Sequence, residues 1–177
     1  TTINITDKEV TVESYIDKEI IVNGKCDLHL TSSTQPLSNS IVRINTEDSW
    51  LFMDNIKPSA VISTILQYVY VNDQLAVNKS NVRVAIYKHG TVIMPHAPSY
   101  KPLTVFAEQN FAGDSSKYAL FSRYTSLGTF NNKIRSFKLK RGYMATLAAT
   151  SDGTGYSRVY IADDGDLEIS VLPMELD

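Results

Sequence analysis

The chain is poor in cysteine: Cys26 is the single one in 177 residues. No intramolecular disulfide can form, so the fold must rest on its core and its hydrogen-bonded ladders. That suits a reducing compartment, and it equally suits an exported bacterial protein that does without disulfides. No apolar run reaches ~18 residues, so no helix is expected to span a membrane. Neither sign of charge dominates, with 17 Lys and Arg against 19 Asp and Glu. Without a basic excess, nucleic acid is not an expected partner. The densest basic run, "KIRSFKLKR" at 133–141, largely alternates charged with apolar residues, the pattern of a strand with one wet face. The eight glycines punctuate turns, and none forms a phosphate-cradling loop ahead of a helix. No signal peptide is visible, and the opening "TTINIT" reads as a mature form or an excised fragment.

What is present is mostly strand. "TINI", "EVTV", "EIIVNG", "DLHLT", "SIVRI" and "SWLFMDN" follow one another at roughly ten-residue spacing, each bounded by turn formers. Residues 56–69 differ: after Pro58-Ser59, apolar residues fall at Val61, Ile62, Ile65, Leu66 and Val69, which is helical spacing. "YVYVNDQLAV" and "VRVAIYKHGTVIMPH" return to strand, and their polar turns at Asn72-Asp73 and Lys88-His89-Gly90 read as hairpins. Three prolines in "MPHAPSYKP" at 94–102 mark a connector. The expectation is an all-β chain of two domains, 1–100 and 101–177. For the first, an antiparallel β-sandwich is preferred, with a short β-solenoid as the alternative. The regular strand spacing suits a solenoid, but no residue repeat is visible.

The second half contains "FAEQNFAG", in which Phe106, Phe111 and Gly113 stand as aromatic, four residues, aromatic, one residue, glycine. A folded-over hairpin explains the spacing: the two rings pack beside a bend where glycine takes a positive φ. Some twenty residues on comes "NNKIRS" at 131–136, then "FKLKRGYMATL", then "SDGTGYS" and "IADDGDLEIS" as a degenerate second copy. Residues 103–177 thus resemble a two-motif βγ-crystallin domain. The resemblance implies a Greek-key sandwich, often a calcium binder, and if the Phe111 ring is buried, Phe111→Ala should cost about 3–5 kcal/mol. It also points to Asn131, Asn132, Asp163 and Asp164 as candidate calcium ligands. Binding is expected to be weak or vestigial, because Arg135 and Leu167 stand where an oxygen ligand belongs. Asp166 belongs to the same acidic turn, whose plainer reading is a solvated loop.

The sequence assembles no catalytic group. Cys26 and His29 are three apart, on opposite faces of a strand, which is poor geometry for a shared metal. His89 falls at a hairpin tip and His96 in the connector. The chain by itself is therefore not expected to be an enzyme. Ten tyrosines and one tryptophan suggest stacking on sugar faces. Trp50 with Phe52, and Tyr68 with Tyr70, share strand faces and suit packing. Tyr87, Tyr100 and Tyr156 lie beside turns or the connector. "DGTGYSR" joins Asp152, Tyr156 and Arg158 in a glycine-rich loop suited to a polyol. With Tyr100, these are the candidate carbohydrate contacts. At whole-chain level, "GKCDLHLT", "SWLFMDNIKPS", "VRVAIYKHGTVI" and "DGTGYSRVYIADDGDLE" resemble accessory β modules of secreted bacterial polysaccharide-degrading enzymes. That resemblance implies an extracellular or periplasmic module that binds polysaccharide beside other domains of one polypeptide. The rival class is a structural or adhesive module that binds protein or spaces domains.

Overall fold

A computed structural model describes residues 2–12, 18–31, 40–163 and 165–173. The chain is mostly β and divides into two compact units, Thr1–Pro98 and Ser99–Asp177.

In the first unit the strands are β1 (Thr2–Thr6), β2 (Glu9–Val12), β3 (Glu19–Asn23), β4 (Asp27–Leu30), β5 (Ile41–Ile44), β6 (Trp50–Asp54), β7 (Val69–Val71), β8 (Gln74–Leu75), β9 (Val82–Tyr87) and β10 (Gly90–Pro95). From β1 to β7 successive strands alternate between two sheets, ordered β1-β3-β5-β7-β8 and β2-β4-β6-β10-β9. The pairs β1–β3, β3–β5, β5–β7, β2–β4 and β4–β6 are all parallel. The preferred antiparallel pairing is corrected here. Both sheets close over one core in a sandwich-like way, but the winding is that of a short solenoid. Among the described residues of this unit, antiparallel pairing enters at β7–β8, β9–β10 and β6–β10.

Alternation explains the core. In β1, β3, β5 and β7 every second residue turns inward. This builds the columns Ile3–Ile20–Val42–Val69 and Ile5–Val22–Ile44–Val71. In the second sheet Val10, Leu28, Leu51, Ile93 and Val84 form the facing column. These residues belong to one cluster, in which Ile20, Val42, Leu51, Val69 and Ile93 are wholly buried. Asparagines stack at the end of the first sheet. Asn45 Nδ2 donates to Asn23 Oδ1 at 3.0 Å, and the Asn72 amide donates to the Ile44 carbonyl. The expected helix is present as one turn of α-helix (Pro58–Ala60), a π-turn (Val61–Ile65) and a 3₁₀ turn (Leu66–Tyr68). It buries Val61, Ile65 and Leu66 in the same core and leaves Ile62 exposed. Both expected hairpins form. Asn72 and Asp73 take φ of 47° and 64°, as a two-residue turn between strands requires. The proline connector begins later than expected, because Met94 and Pro95 still belong to β10.

The second unit contains β11 (Leu103–Glu108), β12 (Ala112–Tyr118), β13 (Ser136–Leu139), β14 (Met144–Ala148), β15 (Ser157–Ile161) and β16 (Leu167–Ile169). One antiparallel sheet has the order β12-β11-β13-β16, and β14–β15 form a ribbon. Val105 and Phe137 from the sheet share a core with Ala145, Leu147 and Tyr160 from the ribbon. The Phe137 and Tyr160 rings meet edge-on at 4.8 Å. Phe106 and Phe111 meet in the same way at 5.8 Å, beside Gly113 at φ +76°. Ser136 Oγ locks that bend: it donates to the Glu108 carbonyl at 2.6 Å and accepts from the Phe111 amide at 3.0 Å.

Candidate functional site

The glycine-rich loop between β14 and β15 is held by its own side chains. Asp152 accepts from Thr154 Oγ1 at 2.7 Å, from the Thr154 amide at 3.0 Å and from Thr150 Oγ1 at 2.9 Å. Thr150 Oγ1 accepts in turn from the Gly155 amide, and the Ala149 amide donates to the Tyr156 carbonyl. The hydroxyl and amide of Thr154, with the Thr150 hydroxyl, hold the Asp152 carboxyl down at about 2, against an ordinary 3.8. Asp152 therefore braces the loop rather than reaching for a ligand. Tyr156 stands out of the braced loop with nearly half of its surface exposed, 48%. Arg158 stacks its guanidinium over the Tyr160 ring at 5.0 Å. Burial pushes the Tyr160 hydroxyl up, and Arg158 opposes that shift.

The brace carries a prediction. The folded value of Asp152 is depressed, so its loop-holding contribution is in place above the ordinary carboxyl range and is lost as pH falls through about 2. The Thr154 amide resonance should titrate with a midpoint near 2. A midpoint at the ordinary 3.8 would mean that these bonds do not hold in solution.

A second loop joins the first. Arg123 donates to the Asp152 carbonyl at 3.3 Å, which draws the 119–126 stretch alongside. Its neighbours Phe121 and Tyr124 are 60% and 45% exposed. Tyr124 is fixed edge-on to Tyr118 at 4.9 Å, and its hydroxyl accepts from the Ala119 amide. Sequence reading missed Phe121, Arg123 and Tyr124. "FSRY" interleaves rings with a guanidinium, but only the fold brings it beside residue 152.

Tyr100 accepts from the Leu120 amide through its carbonyl. Its ring packs on Tyr143 at 5.6 Å, against the second unit's core. Tyr87 is likewise packed, edge-on to Trp50 and Phe52 in a small cluster on the outer face of the second sheet. Tyr70 lies under the Arg43 guanidinium.

Of the candidate calcium ligands, Asn131 has its side chain engaged within the protein. Asn131 Oδ1 accepts from the Leu127 amide, and its Nδ2 donates to Ser126 Oγ. Asn132 takes a left-handed φ of 58°, and its carbonyl accepts from Arg135 Nη1. Arg135 also donates to the Ile134 carbonyl. Asp166 pairs with Lys140 and accepts from the Arg141 amide. Asp163 is exposed, and Asp164 lies outside the described residues. Among the described residues no group of three or more His, Cys, Asp or Glu could hold a metal ion.

One polar cluster escaped sequence reading. Asp54, at the end of β6, lies 2.9 Å from His29 Nε2 on β4 and 2.6 Å from His89 Nε2 in the β9–β10 turn. The parallel register aligns His29 with Phe52, which places the imidazole two residues from Asp54 on one face. Only knowledge of that register could have found the cluster. Cys26 is buried, with its thiol on the Asn23 carbonyl, away from this face. Compared with family models, curated proteins and solved structures, the chain matches none.

Proposed function

We propose that the chain is a non-catalytic carbohydrate-binding module of a larger secreted glycoside hydrolase, working outside the cell or in the periplasm. In this reading the second unit is a βγ-crystallin-like Greek-key domain whose β14–β15 loop touches the polysaccharide. The observation that carries it is the exposed Tyr156 ring on a loop already fixed by Asp152, Thr150 and Thr154. A fixed loop loses little freedom on binding, and a planar ring stacks on the apolar face of a sugar. Tyr156 and Arg158 are the contacts, Asp152 is their support, and Tyr100 is left to the core.

Affinity electrophoresis in gels containing β-glucan, mannan, xylan or polyuronate tests this, since it detects dissociation constants on the order of micromolar to millimolar. At least one glycan should retard the chain, and Tyr156→Ala should weaken retardation by about tenfold, the loss of roughly one stacked ring. Retardation by none would end the binding claim. Release of reducing sugar by the pure chain would end the non-catalytic one.

A second reading, a structural or adhesive module, draws on the outer face of the β14–β15 ribbon. Met144, Val159 and Ile161 are exposed there, beside Thr146, Ala148 and Ser157, with no charge among them. An uncharged apolar strip suits contact with protein better than contact with a sugar.

A further inference from the structure

We infer that the glycan surface extends over the two joined loops and is selective for an acidic polysaccharide, one bearing carboxylate or sulfate groups. This rests on the carbohydrate-binding reading and specifies its ligand class. Three exposed rings, Phe121, Tyr124 and Tyr156, lie on two loops that the Arg123–Asp152 bond holds together. The charged side chains here are Arg123 and Asp152 on the loops and Arg158 on β15. The Asp152 carboxylate is turned into its own loop, where two threonine hydroxyls and an amide occupy it. Arg123 spends one donor on a backbone carbonyl, and Arg158 lies over a ring. Among the described residues no carboxylate comes within ion-pair distance of either guanidinium. Each guanidinium has five N–H donors in a fixed fork that matches carboxylate or sulfate geometry. Rings for the sugar faces and unpaired guanidinium groups for the acid groups thus share one surface. The Phe121 backbone is held at φ +56°, an uncommon conformation for a bulky residue.

The test compares polygalacturonate, a sulfated galactan, an uncharged β-glucan and polyglutamate as gel additives for the whole chain. The acidic glycans should retard it at least tenfold more strongly than the β-glucan, and added salt should erase most of the difference. The double variant Arg123→Gln, Arg158→Gln should lose that advantage. The double variant Arg123→Lys, Arg158→Lys should keep part of it, while amide spectra report whether the loops stay folded. Which acidic glycan binds better separates carboxylate from sulfate as the recognised group. Equal retardation by the β-glucan, with no effect of the Gln variants, would overturn the inference and leave the carbohydrate reading standing. Equal retardation by polyglutamate would also overturn it, since any polyanion would then suffice. Retardation by no glycan would remove both.

Discussion

Leu51→Ala should destabilise the first unit by about 2–5 kcal/mol. Leu51 is wholly buried at the centre of its column, between Leu28 on β4 and Ile93 on β10. Its neighbours are held by ladders on both sides, so the vacated space cannot collapse easily. The loss then includes a cavity term as well as the transfer term. Trp50, the single tryptophan, is next in the same strand and lies on the other face of the sheet. Its fluorescence during urea unfolding therefore reports this unit. Ile86→Ala is the control: Ile86 is 77% exposed, and the change should stay within about 0.5 kcal/mol. Equal effects of the two variants would mean that the facing columns are not the core in solution.

Phe137→Ala should cost the second unit about 3–5 kcal/mol, and Phe111→Ala only roughly 1–2 kcal/mol. Phe137 is wholly buried and touches the Tyr160 ring, so it ties the four-stranded sheet to the ribbon. Phe111 is half-buried, with one side on Phe106 and Lys138 Nζ 4.6 Å from its ring centroid. The figure that Phe111 would carry if its ring were buried belongs instead to a residue that the motif does not include. Amide exchange at β11 and β13, followed through urea, measures both. A larger loss for Phe111 than for Phe137 would reverse this ranking and place the structural weight on the bend.

Local features were legible in the sequence. Alternation located most strands, apolar spacing located the helical segment at 58–68, and Asn72-Asp73 and Lys88-His89 located two hairpins. The contact of Phe106 with Phe111 was legible because both residues belong to one short motif. Parallel winding was not legible. Stacked residues in the first sheet recur at 3, 20, 42 and 69, so the interval lengthens from 17 to 22 to 27 residues. A periodicity search needs a constant interval, and the columns supply only a constant register. The candidate site divides in the same way. The local group Asp152, Thr154 and Tyr156 could be read from one loop. Arg123 and Asp54 could not, because their partners lie 29 residues away at Asp152 and 25 and 35 residues away at His29 and His89. A position beside prolines suggests exposure for Tyr100, and its ring also has a core partner in Tyr143.

The unequal coils separate the length of the chain from the integrity of its core. By loop-closure entropy, lengthening a coil from 17 to 27 residues costs only about 0.4 kcal/mol. That is less than the loss of a single buried methylene, about 0.8 kcal/mol. The third coil uses its extra residues on the helical segment, which adds Val61, Ile65 and Leu66 to the core in return. A solenoid of this kind can take on insertions between its strands without shifting any inward side chain. Its side loops are therefore places where new surface can be acquired while the stack beneath keeps its register.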